Sequence, residues 1–140
     1  MRVVLDTNVL ISALLLENSP PGRLITAWRR GAYTLVSSDL QFEELRRATR
    51  YPKIRQRLRP ALAGSLVNEL KAVAELAEDL PSIDLSPDPF DNFLLAIAEA
   101  GRADYLVSGD QRGLLELEKH GACQIVTARA MLGILGKLGR

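Results

Sequence analysis

The stretch VVLDTNVLI, residues 3–11, places an aspartate and an asparagine inside an otherwise apolar run. The valines, leucines and isoleucine around them are typical of a fully buried strand. A carboxylate in such surroundings costs several kcal/mol of folding free energy unless another group pairs with it. We therefore expect Asp6 to have a partner that comes from elsewhere in the chain.

The composition is that of an ordinary globular protein. With 140 residues, 47% hydrophobic and 25% charged, the chain is predicted to form a single domain over residues 1–140. A net charge of +1 gives no general attraction to nucleic acid or membrane. No apolar stretch reaches the roughly 20 residues of a membrane span, and no cleavage site of a secretory signal follows residues 9–16. We expect a cytoplasmic protein with no membrane association.

The cysteine and histidine content limits the metal chemistry. The chain has one cysteine, Cys123, and one histidine, His120, so the Cys/His signatures of zinc sites are excluded. A single cysteine also excludes an internal disulfide and fits a reducing compartment. A metal ion held by this chain must be bound mainly by oxygen atoms.

Short apolar segments alternate with helical patterns along the chain. Strands are predicted at residues 2–6, 33–36, 81–84, 104–108 and 124–126, and helices at 9–16, 22–30, 38–50, 61–79, 91–100, 112–119 and 127–138. The helix at 38–50 begins with Ser38 as a cap, and Gln41 is expected to complete a capping box. This alternation predicts an α/β fold, a three-layer α/β/α sandwich with a central, mostly parallel sheet.

Acidic residues follow the predicted strands. Asp6 ends the first strand and Asp110 follows the strand at 104–108, so a parallel sheet would bring both to its carboxyl edge, where such sheets bind ligands. Asp91 lies in the first turn of a helix whose apolar residues hold it close to the sheet. Glu44 lies in the helix after the second strand. These four are the candidate catalytic and metal-binding residues.

Four carboxylates at one edge would repel one another unless cations bind between them. Oxygen-only ligation favours Mg²⁺ or Mn²⁺. Such ions activate water and neutralise charge on a phosphodiester. Ordinary structural roles stay open at this point: Asp6 and Asp110 could cap helices, Asp91 could favour its helix dipole, and Glu44 could pair with Arg47.

Positive charge is concentrated in residues 46–59, RRATRYPKIRQRLR, which hold seven arginines or lysines and no acid. A basic segment beside an acidic, metal-binding cleft suits a polyanion whose backbone is held while one phosphate is cut. The candidate residues for holding such a polyanion are Arg46, Arg47, Arg50 and Lys53. A solvated helix face is the alternative explanation for this segment.

Four blocks of the sequence resemble the PIN domain, the nuclease fold typical of toxin components in bacterial toxin–antitoxin pairs. They are VVLDTNVLISALL (3–15), VSSDLQFEELRRATRYPKI (36–54), DPFDNFLLAIAEAGRADYLVSGD (88–110) and IVTARAMLGIL (125–135). The resemblance implies a metal-dependent endoribonuclease that uses Mg²⁺ or Mn²⁺, with an RNA substrate, an antitoxin partner and a homodimeric state. The residues that match the metal-binding acids of the family are Asp6, Glu44, Asp91 and Asp110.

By the same resemblance, Asn8 would orient Asp6 or a bound water, and Ser108 would support the site near the metal. The sequence departs from the family pattern in two places. The stretch after Asp110 reads GDQRGLLEL and lacks a further carboxylate, and Phe90 stands where relatives often have an aspartate. Two alternatives follow: a catalytically degenerate RNA- or phosphate-binding α/β domain, and a haloacid-dehalogenase-like phosphatase, which would need an aspartate where Asn8 stands.

Overall fold

The computed structural model describes residues 1–109 and 113–138, which form six strands and eight helices. The strands are β1 (Arg2–Leu5), β2 (Thr34–Ser37), β3 (Glu75–Leu76), β4 (Tyr105–Val107), β5 (Lys119–His120) and β6 (Cys123–Val126). The helices are α1 (Thr7–Leu15), α2 (Pro20–Arg29), α3 (Asp39–Ala48), α4 (Pro52–Arg55), α5 (Pro60–Val73), α6 (Pro89–Ala100), α7 (Leu114–Leu117) and α8 (Ala128–Leu138).

The strands form one sheet in the order β3-β2-β1-β4-β6-β5. Every pairing is parallel except that of β5 with β6. The first strand lies near the middle, where Val4 is in register with Val36 of β2 and Leu106 of β4. The predicted α/β fold with a mostly parallel central sheet is confirmed.

Both faces of the sheet are covered, because successive side chains of a strand point to opposite sides. Val3 and Leu5 belong to a core cluster that includes residues of α1, α2, α3 and α5. Val4 belongs to a second cluster, on the side of α6, with Leu94 and Leu95. The near-continuous apolar sequence of β1 is therefore explained by burial on two faces.

Side-chain caps fix where several helices begin. Ser38 caps α3, since its Oγ accepts a hydrogen bond of 3.3 Å from the Gln41 amide. The predicted capping box is wrong, however, because the Gln41 side chain does not return to Ser38. Its Nε2 donates to the Leu5 carbonyl at 2.6 Å, and its Oε1 accepts from the Ser37 hydroxyl at 2.5 Å. The first turn of α3 is thus attached to the end of β1.

The helix predicted over residues 61–79 is shorter than its apolar pattern suggested. It ends at Val73, and Glu75–Leu76 adds to the open edge of the sheet beside β2. The Ala77 amide then donates to the Ser37 carbonyl at 2.8 Å. Leu62 and Val73 have the same helical spacing as the buried Leu66 and Leu70, but they are 48% and 66% exposed. Pairing with β2 satisfies backbone groups at this edge and prevails over helix propensity.

Two further expectations about secondary structure are wrong. Residues 81–84 form no strand. The helix predicted to run to residue 119 ends at Leu117, and Lys119–His120 pairs with β6 instead. No helix in the part of the chain that the structure describes is long and apolar enough to cross a membrane.

Candidate functional site

Asp6 is located where β1 passes into α1. Its amide donates to the Val107 carbonyl at 2.9 Å, and its own carbonyl accepts from the Val9 amide at 2.9 Å. Its Oδ1 accepts from the Asn8 amide at 3.1 Å, so the side chain also caps the helix. Asp6 as a whole residue is only 4% exposed. Asp6 therefore has the capping role that the sequence left open, and it has it in a buried position at the carboxyl edge of the sheet.

Ser108 follows β4, the neighbour of β1, and meets Asp6 at this edge. Its hydroxyl donates to Oδ2 of Asp6 at 3.0 Å, and the residue is fully buried. The two oxygens of Asp6 are thus each engaged by a donor, one from the Asn8 backbone and one from Ser108. The Asn8 side chain itself is on an exposed residue, so its predicted role in orienting the site stays a prediction.

Asp91 reaches the same edge of the sheet from α6. The far end of this helix lies beside the beginning of β1, because Arg2 Nε donates to the Gly101 carbonyl at 2.6 Å. Between its ends α6 packs on the sheet, and its 12 residues extend about 18 Å. A four-residue strand extends about 13 Å. The first turn, with Asp91, must therefore lie at the carboxyl edge, where Asp6 and Ser108 are found.

The loop before α6 supports Asp91. The Ser86 hydroxyl donates to Oδ2 of Asp91 at 3.1 Å, and Asp91 is 4% exposed. Asn92 holds this loop, since its Oδ1 accepts from the Leu85 and Ser86 amides and its Nδ2 donates to the Ser86 carbonyl. The sequence interpretation missed Ser86 and Asn92. A serine in a proline-flanked turn immediately before a helix was the available signal.

Capping of α6 belongs to a different residue. Oδ1 of Asp88 accepts from the Phe90 amide at 2.9 Å, which makes Asp88 the N-cap. Asp91 is thus not needed to begin the helix. Its burial at the edge of the sheet calls for another explanation than helix capping.

The structure does not place the other two candidate acids, Glu44 and Asp110, with Asp6 and Asp91. Oε2 of Glu44 accepts from Arg47 at 3.3 Å, which is the helix pair that the sequence left open. Asp110 lies outside the described residues. Across residues 1–109 and 113–138, no three acidic, histidine or cysteine side chains form a group that could hold a metal ion. The four-acid arrangement therefore stays a prediction.

The donor set that is present fits a hard divalent cation. Asp6 and Asp91 are aspartates buried at one edge, and both are held in place by hydroxyl or amide donors. Carboxylate oxygens supported in this way are the ligands that Mg²⁺ and Mn²⁺ use. A cleft of about 270 Å³, lined by Asn8, Ser108 and Arg129 among others, lies beside the two residues that donate to Asp6.

The remaining predicted residues and reactive groups are located elsewhere. Arg46, Arg47, Arg50 and Lys53 are exposed on α3, α4 and the turn between them. Two reactive side chains lie at the opposite, amino edge of the sheet. His120 Nε2 lies 3.0 Å from Oε1 of Glu99. Burial raises the pKa of the Cys123 thiol to about 12, with a smaller contribution from Asp104. Neither group contributes to the site around Asp6.

The comparisons with known proteins agree with this geometry. A family model described as PIN domain matches residues 2–112, a range that includes all four candidate acids. No curated protein and no solved structure matches the chain. PIN domains are generally nucleases that need divalent metal ions, so the match favours a hydrolase of this kind over the phosphatase alternative. By this match, over most of its length, the chain belongs to the PIN domain family.

Proposed function

We propose that this protein is a metal-dependent endoribonuclease that hydrolyses phosphodiester bonds of single-stranded or structured RNA with Mg²⁺ or Mn²⁺. One observation carries the proposal: two aspartates from distant parts of the chain, Asp6 and Asp91, are buried at the same edge of the sheet in a member of a nuclease family. Buried ionisable side chains beside a cleft are candidates for a functional site.

The residues have distinct tasks in this proposal. Asp6 and Asp91 would hold the metal ion, together with Asp110 and Glu44. When bound, such an ion supplies an activated water and neutralises charge on the phosphodiester. Ser108 keeps the Asp6 carboxylate in one orientation through the 3.0 Å bond to Oδ2.

Substrate is held on both sides of the buried acids. The cleft beside Asn8 and Ser108 has an apolar lining from α1 and α2 and a positive group in Arg129. It suits a nucleoside next to the bond that is cut. The exposed basic residues Arg46, Arg50 and Lys53 suit more distant phosphates, and Arg47 can join them if it leaves Glu44.

The direct test is cleavage of a single-stranded RNA and of a DNA of the same sequence, with Mn²⁺, with Mg²⁺ and with a chelator. We expect RNA cleavage that the chelator abolishes and that Asp6→Asn lowers by orders of magnitude. Asp39→Asn is the matched control, since Asp39 is an exposed aspartate in the first turn of α3. Full activity in Asp6→Asn, or equal cleavage of DNA and RNA, contradicts the proposal.

A biological role follows from the same proposal: a cytoplasmic toxin, active as a homodimer and neutralised by a cognate antitoxin. The exposed basic surface of α3 and α4 supports it, because an acidic antitoxin segment could cover that surface. Expression of the protein should arrest growth, and expression of Asp6→Asn should not. A neighbouring gene for a short protein with a DNA-binding N-terminus should restore growth. Growth arrest that is equal for both forms contradicts this role.

The second candidate function is RNA binding without turnover. It is favoured by the pairing of Glu44 with Arg47, which occupies one of the four predicted acids. The cleavage assay separates the two candidates, because a degenerate domain would retain RNA and leave it intact with every metal.

A further inference from the structure

A second cavity, which neither buried aspartate lines, is surrounded by positive charge. It lies between the end of α3, the short helix α4 and the beginning of α5, and has a volume of about 310 Å³. Its lining consists of Arg46, Thr49, Arg50, Arg55, Pro60, Ala63 and Gly64. None of these residues is acidic.

The three arginines of this cavity are not paired with acids in the part of the chain that the structure describes. Within the described residues, the arginine ion pairs with carboxylates are Arg2–Glu75, Arg29–Glu69 and Arg47–Glu44. Arg46, Arg50 and Arg55 are not among them, and most charged positions around them are basic. Three guanidinium groups around one concavity create a positive potential that a bound anion relieves.

The shape of the cavity follows from the local sequence. Pro52 and Pro60 begin α4 and α5 and so divide the chain into short turns that fold back on α3. Ala63 and Gly64 supply a wall of small residues. A Cβ atom built on Gly64 would have no heavy atom within 4 Å, so the space beside it is open. The volume lies at the lower end of the range of about 300–1,000 Å³ for ligand pockets.

The position of the cavity relates it to the buried aspartates through α3. The first turn of this helix contacts the end of β1 through Gln41 and the Leu5 carbonyl. Arg46 lies five residues further on, about 8 Å along the helix axis, and Arg50 lies beyond it. A bound group in the cavity is thus separated from Asp6, but one flexible polymer can reach both.

We propose that this cavity binds a phosphate of the RNA substrate outside the bond that is cut. The inference rests on the proposed function and makes it more specific. Guanidinium groups donate in a fork that matches phosphate oxygens. RNA is favoured over an acidic protein segment because α3 leads from the end of β1, next to Asp6, to the cavity. One RNA strand can therefore reach both places. The cavity adds Arg55 to the RNA-binding residues and excludes Arg47, which pairs with Glu44.

The first experiment measures binding without cleavage. In the Asp6→Asn background, a single-stranded RNA of about 12 nucleotides, within the usual range of single-strand sites, is titrated at several salt concentrations. Replacing the three arginines with glutamine should weaken binding about 10- to 100-fold and lower the slope of log K against log salt by about 2. Arg30→Gln, just beyond α2 and outside the cavity, should leave the affinity within about twofold.

A second pair of variants tests the cavity rather than the charge of the arginines. Gly64→Glu places an acid in the open space and should weaken RNA binding about as strongly as the triple variant. Gly64→Ala is the matched control and should bind like the parent, since its Cβ meets nothing. Circular dichroism should show the same helix content in both. Unchanged RNA affinity in Gly64→Glu and in the triple variant overturns the proposal.

Substrate length distinguishes this inference from the proposed function. In the active protein, Gly64→Glu should raise KM for the long RNA and leave the cleavage of a dinucleotide unchanged. Equal losses on both substrates overturn the subsite. An acidic peptide that binds the parent and fails to bind Gly64→Glu, while RNA binding is unaffected, assigns the cavity to a protein partner and also overturns it. If the protein binds RNA through the cavity but cuts no RNA, the proposed function fails and the subsite stands.

Discussion

Ser108 and Asp6 lie 102 positions apart in the chain, and a hydrogen bond of 3.0 Å joins the Ser108 hydroxyl to Oδ2 of Asp6. The contact exists because β1 and β4 are adjacent parallel strands and each residue immediately follows its strand. A buried carboxylate is held by a buried hydroxyl at the edge where ligands bind in such sheets. The roles of both residues can be tested separately.

Ser108→Ala removes the hydroxyl donor and leaves the Asp6 carboxylate. We expect a loss of about 10- to 100-fold in metal affinity or cleavage rate, as for other groups that orient a metal ligand. The measurement is the rate of RNA cleavage as a function of Mn²⁺ concentration. Ser65→Ala, at an exposed serine of α5, is the control. A metal dependence identical to that of the parent protein would show that Ser108 has a structural role only.

Two substitutions at Asp6 separate its capping role from its role in cleavage. The side-chain oxygen of an asparagine can still accept the hydrogen bond that begins α1, so Asp6→Asn should change the free energy of unfolding by less than about 0.5 kcal/mol. Asp6→Ala loses the cap and should destabilise the protein by about 1 kcal/mol. Both should lose cleavage to a similar extent. Urea unfolding and the cleavage assay together check this, and a stable but active Asp6→Asn protein would contradict it.

Asp88 and Asp91 should show opposite effects, although they lie three residues apart. Asp88→Ala removes the N-cap of α6 and should lower the free energy of unfolding by about 1 kcal/mol, with cleavage retained. Asp91→Asn keeps an oxygen that can accept from Ser86, so it should unfold like the parent protein and lose cleavage by orders of magnitude. Unfolding and cleavage are measured in parallel on the two variants. A loss of cleavage in Asp88→Ala but not in Asp91→Asn would mean that Asp88, not Asp91, takes part in cleavage.

Gln41 supports the position of Asp6, because its side chain donates to the carbonyl of the preceding residue, Leu5. Gln41→Ala leaves the buried Leu5 carbonyl and the Ser37 hydroxyl without this partner, which should cost about 2 kcal/mol of folding free energy. Glu43→Ala, an exposed position on the same helix, should cost less than about 0.5 kcal/mol. Urea midpoints of the two variants give the comparison. Equal midpoints would show that the Gln41 contacts contribute no net stability.

Cys123 gives the protein a dependence on alkaline pH. Its pKa is about 12 in the folded protein because of burial, against about 8.5 in an unfolded chain. The folded state therefore keeps a proton that the unfolded state loses. Loss of that proton favours the unfolded state. The contribution of Cys123 to the free energy of unfolding is therefore fully present below about pH 8.5 and is lost as the pH rises towards 12. Burial also raises the pKa of Tyr33, which contributes with the same sign.

The Cys123 prediction is checked by urea unfolding between pH 7 and 10. The parent protein should lose more stability over this range than Cys123→Ala, which cannot titrate at this position. A thiol reagent at pH 8 should react slowly with the folded protein and rapidly after unfolding. Rapid reaction in the folded state would mean that the thiol is accessible and its pKa ordinary.

The alternation of short apolar segments with helical patterns was sufficient to predict the fold class, and the polar end of the first strand predicted the carboxyl-edge location of Asp6. The resemblance of four sequence blocks predicted the family. The first two predictions need only local sequence patterns, because an apolar strand that ends in a polar residue is typical of the carboxyl edge of a parallel sheet. The apolar face of its helix also predicted that Asp91 is held close to the sheet, where Asp91 is 4% exposed. The predicted place of Asp110 at that edge lies outside the described residues and stays a prediction.

Only the tertiary structure decided which side chains meet. The apolar spacing beyond Val73 predicts a helix, but Glu75–Leu76 instead forms a strand that pairs with the edge of β2. Gln41 left its expected capping box because the Leu5 carbonyl at the end of β1 was within reach. Such contacts join residues that are far apart in the chain. Which buried backbone groups find a hydrogen-bond partner depends on the whole fold, so a local sequence pattern cannot predict these contacts.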